Sequence, residues 1–176
     1  GAPNSDVVVA ATDFAVSAVP NSPPAVPTGL AQFRLDGVTG IGLGATTNET
    51  GVVFSATMTD PDANSVAIQV EVKPVGSGFS GVVSGTGSMV ASGGTGTVTI
   101  NGLVTGTSYH WQARTIDANG ATSGWVGFGG NSDIPVAGTD FAVDTTTNSA
   151  PSASGPGQFR SAGTTAIAAA GTPNET

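Results

Sequence analysis

From residue 51 onward the chain alternates. Val52, Phe54, Ala56 and Met58 share one parity, and Val53, Ser55, Thr57 and Thr59 the other, which is the two-residue period of a strand with one face on a core. The same period puts Val66, Ile68, Val70 and Val72 opposite Ala67, Gln69, Glu71 and Lys73. Val98 and Ile100, then Tyr109, Trp111 and Ala113, then Val126 and Phe128 continue the inward series, and shorter strands are predicted over residues 31–35, 39–45 and 140–143. Gly, Asn and Asp punctuate these runs, and no stretch carries the 3.6-residue period of a three-turn helix. So many short strands predict an all-β sandwich.

The chain also repeats itself. Residues 4–16 (NSDVVVAATDFAV) return at 131–143 (NSDIPVAGTDFAV), 127 residues later. Gln32-Phe33-Arg34 returns at Gln158-Phe159-Arg160, and Asn48-Glu49-Thr50 at Asn174-Glu175-Thr176. A period near 126 residues is far longer than the roughly 20 to 50 of solenoid repeats, so each unit is expected to be a whole domain. Connectors rich in Pro, Ser and Thr lie at residues 21–29 and 145–157. The predicted division is 1–19 as the C-terminal strand segment of a preceding repeat, 20–146 as a complete domain with its linkers, and 147–176 as a linker and the first strand segment of the next. A segment without a sheet of its own must be completed by another copy or by more of the same chain, because ordering it costs about 1–2 kcal/mol per residue. Stacking of the immunoglobulin-like domains, together with strand addition through Phe14, Val16, Phe159 and Ile167, is the expected mode of assembly.

Composition narrows the chemistry. The chain of 176 residues has no Cys, one His, four Lys plus Arg and twelve Asp plus Glu, for a net charge of -8. That balance disfavours nucleic acid and anionic membrane as partners, and no apolar run reaches the roughly 18 to 20 residues of a spanning helix. More than half the chain is Gly, Ser, Thr or Ala, so solubility rests on hydroxyl and backbone groups.

The most specific local signal is Leu103-Val104-Thr105-Gly106-Thr107-Ser108-Tyr109-His110-Trp111. It resembles the tyrosine corner of fibronectin type III and other immunoglobulin-like domains, with Leu103, Tyr109 and Trp111 in structural roles. The following ARTIDANGATSGWVGFGGN resembles the rest of strand F, an F–G turn over residues 117–120 and strand G, while TDFAVDTT resembles the closing strand of tandem repeats in large bacterial surface or filament-forming proteins. The resemblance implies an immunoglobulin-like, fibronectin type III-like sandwich flanked by partial repeats. It further implies an extracellular or cell-surface structural repeat of a filament or adhesin stalk, with self-association as its partnership. Alternatives are a module binding carbohydrate or a host surface, and a spacer in a secreted enzyme. The Gly/Ser-rich stretch over residues 79–96 departs from the pattern.

No catalytic site is expected. A hydrolytic triad needs a base beside its nucleophile, and the single His110 falls on the outward parity with Gln112 and Arg114. Calcium is the reasonable ion, since it takes hard oxygens in irregular loops: Asp60, Asp62 and Asn64 follow strand B, Asp117 and Asn119 follow strand F, and these loops share one end of an immunoglobulin-like sandwich. The competing reading is ordinary turn chemistry, in which each Asp bonds its own backbone. Lys73, the single lysine, has outward parity, which argues against an isopeptide cross-link, and Glu71 is expected to pair with Arg114 across strands C and F. Asn48 and Asn174 head glycosylation sequons, and Trp125 is a candidate sugar platform.

Overall fold

The computed structural model describes residues 19–130 and 138–146. Among the described residues nine strands form two sheets: β1 (Thr28–Phe33), β2 (Ala45–Thr47), β3 (Gly51–Thr57), β4 (Val66–Pro74), β5 (Gly85–Thr86), β6 (Thr95–Asn101), β7 (Thr107–Asp117), β8 (Val126–Gly127) and β9 (Phe141–Val143). One sheet has the order β1-β3-β6; the other runs β2-β9-β7-β4-β5, with β8 also on β7. Pairing is antiparallel except for β2 beside β9. In immunoglobulin lettering this is A-B-E facing A′-G-F-C-C′, so the fold is an all-β, immunoglobulin-like sandwich.

Alternation selects the core. Val52, Phe54, Ala56 and Met58 of β3 meet Val66, Ile68 and Val70 of β4 and Tyr109, Trp111 and Ala113 of β7 in one buried cluster. Phe54 and Trp111 pack with ring centroids 4.6 Å apart, and Tyr109 stacks on Phe141 at 5.4 Å. Tyr109 Oη accepts a 2.8 Å bond from the Val104 amide, which closes the turn from Leu103 into β7. Burying Trp111 leaves an indole N–H to satisfy, and buried Gln32 accepts it at 2.9 Å.

Three expectations about the strands change. Over residues 39–45 there is only an isolated bridge from Phe33 to Gly40 before β2 begins. The inward strand through Val126 and Phe128 ends after Gly127, and Phe128 opens a short 3-10 turn while stacking on Trp111 at 5.1 Å. The Gly/Ser-rich region holds β5 and a close approach between the sheets: a Cβ on Gly87 would lie 2.3 Å from the Thr97 carbonyl oxygen. Gly85, Gly87, Gly94 and Gly96 answer to packing rather than to flexibility, each with a neighbouring atom under 3.0 Å from where a Cβ would stand.

The outward parity of β4 and β7 is the largest correction. Gln69, Glu71, His110 and Gln112 are buried, because the chain after β4 folds back over this face as a strap. Ser80 and Gly81 donate their amides to Glu71, Ser84 donates its amide to the Val70 carbonyl, and Phe79 stacks on His110 at 4.2 Å. His110 therefore does not point to solvent. Its Nε2 lies 2.7 Å from the Ser77 carbonyl, which makes Nε2 the donor, and its Nδ1 is buried without a partner. Glu71 does not pair with Arg114 either: its cation is Lys73 at 3.6 Å, while Arg114 donates to Gln69 and lies 4.6 Å from the Trp125 ring centre.

Candidate functional site

Two Asp-led turns stand at one pole of the sandwich. After β3, Asp60 Oδ1 accepts the amides of Asp62 at 2.8 Å and Asn64 at 3.1 Å, with Ala63 at a φ of 57° inside the turn. After β7, Asp117 Oδ1 accepts the amides of Asn119 at 2.9 Å and Ala121 at 2.8 Å. Both are the short-range side-chain-to-backbone closures for which Asp is favoured in turns. The turns are tied together by the Ala118 amide on the Ser65 carbonyl at 2.9 Å.

The space between them is taken by the incoming linker. Asn21 donates Nδ2 to Asp117 Oδ2 at 2.7 Å, and its Oδ1 accepts from Asn64 Nδ2 at 2.7 Å and Asn119 Nδ2 at 2.8 Å. Ser22 donates its amide and hydroxyl to the Asp62 carboxylate. Pro24 and Pro27 are buried, and the Ala25 amide reaches the Thr59 carbonyl at 3.0 Å. The Pro/Ser-rich connector is thus docked along its own domain rather than acting as a loose spacer. The Asn21 amide is the main cause that holds the Asp117 carboxyl below its ordinary 3.8; burial opposes it, and the turn amides of Ala121, Asn119 and Gly120 assist.

All five calcium candidates lie in these turns, but the Oδ1 atoms of Asp60 and Asp117 are committed to backbone amides and the Asp62 carboxylate to Ser22. Among the described residues no three His, Cys, Asp or Glu side chains form a metal-holding group. One observation fits a cation: Asp60 is 7% exposed and its Oδ2 is buried without a hydrogen-bond partner. Asn21 and Ser22 are not singled out by motif reading. The signal for them is the return of Asn-Ser at residues 148–149, at the same 127-residue shift that relates 4–16 to 131–143.

The other candidates are scattered. Leu103, Tyr109 and Trp111 belong to the core cluster, Trp125 is half-buried beside Arg114, and Asn48 accepts a 2.9 Å bond from Arg34 through Oδ1. The assembly residues Phe14, Val16, Phe159 and Ile167, and the sequon at Asn174, lie outside the described residues. Among the described residues no helix is long and apolar enough to cross a membrane.

No family model matches the chain, and no curated protein matches it. Among solved structures it is similar to the PKD domain of M14-like peptidase from Thermoplasmatales archaeon SCGC AB-540-F20, at 20% identity and a TM-score of 0.38, over 62% of this chain and 94% of that one.

Proposed function

We propose that this chain is a non-catalytic structural repeat of an extracellular filament or adhesin stalk, in which immunoglobulin-like units are strung pole to pole. The observation that carries the reading is the docking of Asn21 and Ser22 onto the loops after β3 and β7. A connector bonded to its domain transmits orientation as well as tension, whereas a free linker transmits only tension. At the opposite pole the departing chain is held too, by the Asp144 amide on the Thr47 carbonyl at 2.8 Å and the Thr145 amide on Thr105 Oγ1 at 3.0 Å. The repeat in the sequence supplies the string. Electron microscopy of protein carrying several repeats tests this: regular filaments with an axial spacing are expected, and dispersed, randomly jointed particles at high concentration would overturn it.

The linker pole also supports a reading as a calcium-stiffened joint, favoured by the orphaned Asp60 Oδ2. Asp60, Asp62, Asn64, Asp117 and Asn119 would hold the ion, which would supply charge neutralisation at the pole where the Asp62 and Asp117 carboxylates bond the linker. The assay is thermal unfolding with added calcium and with chelator. A higher midpoint with calcium is expected, and coincident curves would leave both loops as plain Asx turns.

A further inference from the structure

We infer that the exit pole of this domain is a docking surface for the next repeat, with Leu35, Val38 and Val104 as its apolar contacts. The inference rests on the reading of the chain as strung repeats and adds how adjacent units meet.

The exit pole is defined by bonds. Leu103 donates its amide to the Thr50 carbonyl at 2.9 Å, Gly106 to the Val143 carbonyl at 2.7 Å, and Leu35 to Glu49 Oε2 at 2.7 Å. The chain then stays attached: beyond the bonds of Asp144 and Thr145, the Thr146 amide returns to Asp144 Oδ1 at 2.9 Å. The anchored part of this domain therefore extends to Thr146.

The counterpart of Asn21 follows at once. Asn148-Ser149-Ala150-Pro151 stands 127 residues after Asn21-Ser22-Pro23-Pro24, in the register of the longer repeat, so in sequence Asn148 and Ser149 correspond to the Asn21 and Ser22 of the following unit. In sequence only Thr147 lies between Thr146 and the counterpart of Asn21. Two extended residues span at most about 7 Å, less than the width of a single sheet-to-sheet layer of about 10 Å. With the same anchoring in the following unit, its linker pole would come against the exit pole of this one.

The surface there fits such a neighbour. Val38 is 80% exposed, Val104 62% and Leu35 47%, an apolar group at the end of the domain from which the chain leaves. At the opposite pole Val19, 84% exposed and two residues before Asn21, is apolar in the same way and would meet the exit pole of the preceding unit.

The test is a two-domain protein joining residues 20–147 to a second copy that begins at Asn21, compared with the single domain by NMR relaxation and residual dipolar couplings. Both halves are expected to tumble as one body with a single alignment tensor. Val38→Asp together with Val104→Asp should abolish that common tumbling and leave the unfolding midpoint of the single domain unchanged, as should two Gly residues inserted after Thr147. Independent tumbling of the unmutated tandem would overturn the docking. If filaments still form from such a tandem, the structural-repeat reading survives without it; if none form, both fall.

Discussion

Glu71 is the sharpest test of the energetics. The side chain is fully buried, yet it accepts the Ser80 amide and hydroxyl, each at 2.7 Å, the Gln112 amide at 2.8 Å and the Gly81 amide at 2.9 Å. Burial pushes its carboxyl up, but the bonds from Ser80, Gln112 and Gly81 outweigh it and hold the group below its ordinary 4.5. Glu71→Gln keeps the shape and turns one acceptor oxygen into a donor facing donors. Bonds to a charged group are worth about 1.5–3 kcal/mol each, and four would sum to an implausible loss. The strap can open instead and let water satisfy the freed groups, so the expected cost is about 2–4 kcal/mol. The assay is urea unfolding at neutral and acid pH, with hydrogen exchange of the Ser80 and Gly81 amides. A carboxyl depressed in the folded state stabilises above its unfolded value, and that stability is lost as pH falls through the folded value. The variant should therefore lose stability at neutral pH and show a flatter acid limb. If the two amides stay protected and neutral stability changes by less than about 0.5 kcal/mol, within the range of ordinary surface substitutions, the strap is not held by Glu71.

Three further outcomes are expected. Asn21→Ala should raise the Asp117 pKa back toward 3.8, because the Asn21 amide is the largest cause of its depression; an NMR titration reads this directly, and the acid-dependent loss of stability from Asp117 should shrink. Tyr109→Phe leaves the Val104 amide without its acceptor and should cost about 1 kcal/mol, with the denaturant midpoint lowered and the slope unchanged. Gly87→Ala drives a Cβ to 2.3 Å from a backbone oxygen, whereas in Gly96→Ala the nearest atom, at 2.6 Å, is the mobile Met58 methyl. The first should cost about 1–3 kcal/mol and the second clearly less; equal thermal shifts would contradict this packing account.

The sandwich was legible in the sequence because a strand with one face on a core must alternate, and Phe54, Ile68 and Trp111 could be placed inward by parity alone. Residues 39–45 failed for the converse reason: alternation over a few residues promises a side-chain pattern, but a strand also needs an edge to pair with, and before β2 begins at Ala45 only Gly40 bridges one. The turn chemistry of Asp60 and Asp117 was likewise readable, since each Asp bonds amides within four residues of itself.

Parity tells which side of a sheet a residue takes; it carries no information about what covers that side. His110, Glu71 and Gln112 were on the polar parity and became interior when residues 77–84 closed over them, and Arg114 found Gln69 and Trp125 rather than Glu71. Asn21 bonds partners 43 to 98 positions away, so nothing in its local sequence marks it as a clamp. The sequence by itself determined the faces and the turns, which depend on neighbours along the chain. Only the tertiary structure decided what is buried on the outer face and where the linker docks, because those energies arise between segments brought together after the sheets have formed.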